Sequence, residues 1–261
     1  MTLDMHFYFE DDNHSETVLL LHGFMSDLES MKSIGENLSD EYNLLYVDLP
    51  GFGGSGSVRH DYDMEDVSHG ISEILDSLHL DKVHVIGYSM GGRTALSFGV
   101  LYPEKVHSLI LESASPGLAD KEEKAQRLEI DRKRARKITE DYQKFLDDWE
   151  GMGLFKSQQH LSEEVFKAQR SMRERQQPKE VADSLLKYGT GVQPSYWSRL
   201  ENLKMPVLLI TGSDDRKFVA VNKKMAESIE KVRLETVGGA GHNIHLESAE
   251  KFDTIITEFL K

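Results

Sequence analysis

Lys82-Val-His-Val-Ile-Gly-Tyr-Ser-Met-Gly-Gly-Arg-Thr-Ala-Leu-Ser-Phe-Gly-Val-Leu-Tyr102 decides how this chain is read. Its first part is a short apolar run without strict alternation, the pattern of a strand buried on both faces of a parallel sheet. Its second part, from Met90 onward, reads as a helix. Between them, Gly87-Tyr-Ser-Met-Gly91 fits G-x-S-x-G. The string alone is weak evidence, and a serine capping an ordinary helix is the bland alternative. The context is what carries weight. A strand–turn–helix elbow needs small residues on both flanks because the turn is tight, and it lifts the serine Oγ clear of the strand end.

Working outward, similar apolar runs occupy residues 18–22, 43–48 and 106–111, and after a long interval 207–212 and 232–237. Helical patterns fall near 28–38, 64–79, 90–101, 217–230 and about 248–260. Residues 117–187 have long helical periodicity, heavy charge and no strand pattern. This layout predicts an α/β fold: a mostly parallel central sheet flanked by helices, a core formed by 1–116 and 188–261, and a helical lid at 117–187. There is no internal repeat.

Composition narrows the function classes. The 261 residues are 39% hydrophobic and 29% charged, ordinary for a globular chain. No apolar run approaches the roughly 18 residues of a membrane span. The first residues lack a basic stretch followed by an apolar one, which argues against a signal peptide and for a cytoplasmic protein. With no cysteine, disulfides, thiolate metal sites and cysteine nucleophiles are excluded. A formal charge of −14 disfavours nucleic acid or an anionic membrane as partner. The charge is uneven, however. Residues 117–187 hold 16 Lys+Arg and 15 Asp+Glu, whereas the remainder holds 15 and 30. A near-neutral, arginine-bearing segment suits an anionic small ligand; a helical insertion with ion-paired faces explains the same numbers.

An activated Ser89 needs a base, and the base needs an orienting carboxylate, in the chain order Ser, acid, His. Of eleven histidines, His242 and His245 follow the last strand pattern, and His242 lies in the glycine-bounded loop Gly238-Gly-Ala-Gly-His-Asn243. His242 is the candidate base, with His245 packing at the start of the last helix. Asp214 and Asp215 are adjacent after the run at 207–212, and both cannot face one imidazole. His22-Gly-Phe24 closes an early strand, so the backbone N–H groups of Phe24 and Met90 are the expected oxyanion donors, with His22 structural. Gly51-Phe-Gly-Gly-Ser-Gly56 matches G-x-G-x-x-G, but Pro50 precedes it and no helix opens at its end, so a dinucleotide site fails on context. No phosphate-loop motif and no metal-ligand spacing is present.

GYSMGGR, the early HGF, the DLPG turn at 48–51 and the late GHN together resemble the α/β-hydrolase superfamily over the whole chain. Leu111-Glu-Ser-Ala-Ser-Pro-Gly117, the Arg127 and Asp131-Arg132 region, Trp149, Ser157-Gln-Gln159, Arg170 and Gly189-Thr-Gly-Val-Gln-Pro-Ser-Tyr-Trp197 narrow this. They are similar to the 2-succinyl-6-hydroxy-2,4-cyclohexadiene-1-carboxylate synthases of menaquinone biosynthesis. The resemblance implies a lyase that needs no cofactor, removes a proton and eliminates pyruvate from a small polycarboxylate. It implies a triad of Ser89, Asp215 and His242, with Asp215 preferred over Asp214. It implies substrate-binding Arg93, Arg127 and Arg170, a pocket lined by Tyr88 and Trp149, and a lid inserted after the sixth strand. Three positions depart from the family pattern: Phe52 where many relatives have histidine, Asn243 where several have threonine, and Arg216 beside the presumed acid. A serine hydrolase of esters or C–C bonds with the same triad is the alternative, although three convergent arginines suit an apolar acyl pocket poorly. A non-catalytic binding module has no use for a charged triad.

Overall fold

The computed structural model describes residues 3–55 and 61–261. Seven strands form one sheet: β1 (Phe7–Glu10), β2 (Thr17–Leu21), β3 (Asn43–Val47), β4 (Val83–Tyr88), β5 (Val106–Glu112), β6 (Val207–Gly212) and β7 (Val232–Val237). Their order is β1-β3-β2-β4-β5-β6-β7. All neighbours are parallel except β1, which runs antiparallel to β3 with Phe7 opposite Val47. The first helices are α1 (Lys32–Glu36), α2 (Met64–Ser77) and α3 (Met90–Leu101). Between β5 and β6 come α4 (Lys121–Glu140), α5 (Tyr142–Glu150), α6 (Glu163–Glu174) and α7 (Pro178–Lys187). The chain ends with α8 (Arg216–Ala226), α9 (Ile244–Glu247) and α10 (Ala249–Leu260). Among the described residues no helix is long and apolar enough to cross a membrane.

The apolar runs are continuous because both faces of the sheet are covered. Leu19, Leu21, Val85, Leu109 and Leu111 point to one side, where they pack with Leu96 and Phe98 of α3 and with Ala135, Ile138 and Val181 of the helical excursion. Val18, Leu20, Ile86, Ile110 and Ile210 point to the other, against Met31, Ile34, Phe252 and Ile256. Alternate residues therefore serve different layers, and each fully buried Leu, Ile or Phe contributes on the order of 2 kcal/mol. α2 opens with a reciprocal capping box between Asp63 and Asp66. α4 buries only Asp131, Ala135 and Ile138. Its remaining faces carry ion pairs such as Arg132–Glu129 and Lys137–Asp148, which accounts for much of the segment's near-neutral charge.

Several expectations shift. β1 is absent from the predicted runs because a half-buried edge strand has little continuous apolar signal. Before α4 there are five strands, so the helical excursion follows the fifth strand rather than the sixth: only β1 precedes β2, and the polar turn between them contains Asn13 at φ 63°. The helix expected at 28–38 is a 3-10 turn, Leu28–Met31, continued by the single-turn α1. Gly56, the end of the G-x-G-x-x-G string, lies outside the described residues, and the rest of that string holds a 3-10 turn, Gly53–Ser55, rather than the start of an α-helix.

A buried carboxylate ties the helical excursion to the core. Asp27, buried, accepts two-pronged hydrogen bonds from Arg175 at 2.8–3.0 Å and a third partner, Gln176 Nε2, at 3.0 Å. The Gln176 side-chain Oε1 in turn accepts the N–H of Gly53 at 2.9 Å. Asp27 sits just beyond Gly23-Phe24-Met25, where Met25 holds a left-handed φ of 62°.

His22 is structural, as expected. Its Nδ1 faces the Gly23 carbonyl at 2.8 Å and its Nε2 faces the Leu49 N–H at 2.9 Å, which requires the neutral ring with the proton on Nδ1. Burial pushes its pKa down, against the opposing pull of Asp48. Burial also lowers His84, which stacks on His107 and contacts Ser108. Both rings bind protons more readily when unfolded, so stability should be full above the unfolded value of about 6.5 and fall as pH drops below it. Denaturant unfolding between pH 8 and pH 5 measures this; a midpoint that stays level or rises on acidification contradicts it.

Candidate active site

The elbow is built where β4 runs into α3. Ser89 adopts φ 50° and ψ −102°, a conformation that costs roughly 1–3 kcal/mol for a non-glycine residue. Its N–H donates to the Glu112 carbonyl of β5 at 2.8 Å, and its carbonyl accepts the Arg93 N–H at 3.0 Å. The turn also needs absent side chains. A Cβ on Gly91 would run into the carbonyl oxygen of Leu21, so α3 approaches β2 more closely than any larger residue permits.

Ser89 Oγ lies 2.9 Å from His242 Nε2, and His242 Nδ1 lies 2.6 Å from Asp215 Oδ2. His242 and Asp215 are both buried, whereas Ser89 is half-buried and faces a cavity. Asp215 Oδ1 accepts the Phe218 N–H, capping α8, and the Phe218 ring packs on His242 at 4.9 Å. Asp214 is exposed and contacts the Ser213 hydroxyl, so only the second carboxylate of the pair reaches the imidazole.

Two carboxylates hold the His242 loop. Glu247 accepts the N–H groups of Gly241 and Asn243, at 2.6 and 3.2 Å. Glu112, fully buried, accepts those of Ile244 and His245 through Oε1 and meets His245 Nδ1 through Oε2 at 2.6 Å. Glu112 therefore braces the serine through its carbonyl and the histidine loop through its carboxyl. His245 packs at the start of the last helical segment, as expected, and this acidic partner was not foreseen from the sequence. Nothing local in Leu111-Glu-Ser signals it.

The cavity in front of Ser89 has a volume of about 780 Å³, ample for a small ligand. Phe24, Tyr88, Met90, Arg93, Arg127 and Trp149 all line it. Tyr88 packs between His242 and His245, and burial pushes its phenol well above the usual range. Trp149 stacks near Phe24 at 5.2 Å and Phe155 at 5.5 Å. The Arg93 guanidinium has only neutral acceptors, the Tyr188 carbonyl and Gln193 Oε1. Burial, and the neighbouring Arg127 behind it, lowers its pKa to about 10, so it remains a cation at neutral pH in a setting that disfavours charge. Arg127 donates from Nε to the buried Asp131 at 2.9 Å.

Arg170 is not brought to this cavity. Its guanidinium is held by Asp147 at 2.7 Å, Glu150 at 3.0 Å, Glu174 at 2.8 Å and Gln143 at 2.8 Å, which join α5 to α6. Those hydrogen bonds raise its pKa, led by Glu174. The spacing of Arg170 and Glu174, one helical turn apart, is the sequence signal for this pairing. Three basic cavity residues were not anticipated: Arg134, two turns along α4 from Arg127, and Lys217 and Lys224 of α8. Ser113, fully buried at φ 49°, also lines the cavity.

The architecture is that of the α/β hydrolases, and comparison with known proteins agrees. The model of the alpha/beta hydrolase fold family matches residues 16–249, and the chain belongs to that family. A protein of Bacillus subtilis (strain 168), provisionally named a 2-succinyl-6-hydroxy-2,4-cyclohexadiene-1-carboxylate synthase, is 42% identical over 96% of this chain and 92% of its own length. A protein of Escherichia coli O1:K1 named as that synthase is 29% identical over 88% of each chain. The structure of MenH from S. aureus superposes with a TM-score of 0.93 at 34% identity, covering 98% of this chain and 97% of that one. A malate-bound esterase from Thermogutta terrifontis superposes at 0.84 with 26% identity, covering 98% and 92%.

Two variants report on the site. Arg93→Met removes a buried cation that lacks a carboxylate partner, so the ligand-free protein should melt at the same or a higher temperature while carboxylate binding is lost. A clear drop in melting temperature would show that Arg93 is there for stability. Glu112→Ala strands two buried N–H groups and an imidazole, with an expected loss of about 1–3 kcal/mol or more in denaturant unfolding. Unchanged stability would remove Glu112 from its bracing role.

Proposed function

We propose that this chain is a lyase that converts 2-succinyl-5-enolpyruvyl-6-hydroxy-3-cyclohexene-1-carboxylate into pyruvate and 2-succinyl-6-hydroxy-2,4-cyclohexadiene-1-carboxylate. One observation carries the reading: a cavity lined by guanidinium groups opens directly onto a serine hydrogen-bonded to a His–Asp pair. The names of the relatives favour the same reaction over ester hydrolysis.

The roles follow from the chemistry. The substrate has three carboxylates, and the proton at ring carbon 2 lies beside the succinyl ketone. His242 draws the Ser89 hydroxyl proton, and Ser89 Oγ takes the proton from carbon 2. Electron density passes through the ring alkene, a second double bond forms between carbons 4 and 5, and the C5–O bond to enolpyruvate breaks. The imidazolium returns its proton to the departing enol, which becomes pyruvate. Asp215 orients His242 and stabilises its charged form. Backbone N–H groups of Phe24 and Met90, with Met90 the first residue of α3, stabilise the enolate oxygen of the ketone. Removing a proton from a trianion builds a further negative charge. Arg93 and Arg127 offset it and orient the carboxylates bidentately. Tyr88 and Trp149 wall the ring. The expected setting is the cytoplasm, with a small polycarboxylate as the substrate.

A coupled assay tests this. The substrate is made in situ by the preceding synthase, and pyruvate release is followed with lactate dehydrogenase. Rapid release that vanishes in Ser89→Ala is expected. Release at only the spontaneous rate, with p-nitrophenyl esters turned over instead, would move the function to a hydrolase. Asp215→Asn should lower kcat by roughly a hundredfold or more, and Asp214→Asn should stay near wild type; the reverse result would reassign the acid.

A further inference from the structure

The helical excursion brings a guanidinium to the cavity that the sequence reading did not include. Arg134 lies two turns along α4 from Arg127, and its side chain lines the cavity. Its guanidinium sits over the Trp149 ring at 5.6 Å. Its carboxylate contact is Asp131 at 3.6 Å, and that carboxylate is already engaged by Arg127 Nε at 2.9 Å and by the Gly191 N–H at 3.2 Å. Arg93, as above, is met by neutral acceptors. Among the described contacts Arg127 and Arg134 thus share one buried carboxylate and Arg93 meets none; of the two acids that also line the cavity, Asp120 and Glu123, Asp120 is engaged in capping α4. The three guanidinium groups also repel one another: Arg127 is the main charged group disfavouring the cationic form of both Arg93 and Arg134. A clustered, under-neutralised set of cations in a partly dry cavity stores electrostatic free energy that an anionic ligand releases.

We propose that Arg134, held over the Trp149 ring, is a third carboxylate-binding residue of this cavity and makes it select ligands with three carboxylates over ligands with one. The assignment rests on the lyase reading only in matching a three-carboxylate substrate; the cation cluster itself is independent of the reaction. It also differs in kind from Arg170, whose guanidinium is saturated by side chains of α5 and α6. A cation–π contact with the indole takes up no N–H donor, so the guanidinium keeps donors for a carboxylate.

Inert probes on one scaffold test it without depending on turnover: cyclohexanecarboxylate, cis-cyclohexane-1,2-dicarboxylate and cyclohexane-1,3,5-tricarboxylate, each titrated calorimetrically into the wild type, Arg134→Gln and Arg134→Lys. The wild type is expected to bind the tricarboxylate most tightly. Arg134→Gln should weaken the tricarboxylate by about ten- to a hundredfold and leave the monocarboxylate nearly unchanged. Arg134→Lys, which keeps the charge, should recover much of the difference. Three results overturn the proposal: no preference for the tricarboxylate in the wild type, wild-type affinities in Arg134→Gln, or equal weakening of mono- and tricarboxylate. The last would mean that Arg134 only supports the fold of the helices. Failure of the lyase reading looks different: no pyruvate above background, with the tricarboxylate preference and its dependence on Arg134 intact.

Discussion

At Ser89 the backbone is held at φ 50° between β4 and α3, and the architecture around it is organised to keep it there. Two restraints act on the turn itself, a hydrogen bond from the Ser89 N–H to Glu112 and the close seating of Gly91 against the Leu21 carbonyl. Both depend on β2, β4 and β5 being adjacent and parallel, so the strain at one residue is spread over three strands. Moving any of these strands by a fraction of an ångström would move the serine hydroxyl relative to His242.

His242 is positioned by a different means. It stands in a loop between β7 and α9 and has no strand to fix it. Acidic side chains do so instead: Glu247 grips the N–H groups on either side of His242, Glu112 grips the next two, and Asp215 takes the ring nitrogen. Hydrogen bonds from backbone N–H groups to carboxylates are stronger than neutral ones and lose little to water when buried. Because Glu112 also accepts from Ser89 through its carbonyl, one residue couples the two halves of the constellation. On the opposite side, Asp27 joins the helical excursion to the stretch that carries Phe24. The wall of the cavity and one expected oxyanion donor therefore share an anchor.

The sequence exposed most of the sheet because the strands buried on both faces have no polar interruptions, and it missed β1 because an edge strand does not need such a run. It reached Ser89 and His242 for related reasons: an elbow needs glycines, and a glycine-bounded loop after the last strand leaves few histidines to choose from. The choice between Asp214 and Asp215 was open from spacing alone and rested on family resemblance. In the fold, the residue that caps α8 is also the one aimed at the imidazole.

What the amino-acid order determined by itself was local: which segments form strands and helices, where the tight turn lies, and which residue types the chemistry requires. Those properties come from neighbours in the chain, through periodicity, glycine and capping. The tertiary structure alone decided which charges face each other. Arg127, Arg134 and Arg170 all lie on helices crowded with acids, and because Arg127 and Arg170 each pair with an acid four residues on, that spacing does not tell a cavity arginine from one held away from the cavity. Packing α5 against α6 surrounded Arg170 with Asp147, Glu150 and Glu174, whereas packing α4 against α7 left Arg127 and Arg134 on the wall of the cavity that Ser89 faces. A cation is neutralised or left available according to what lies within about 4 Å of it, and that distance is set by how the helices are stacked.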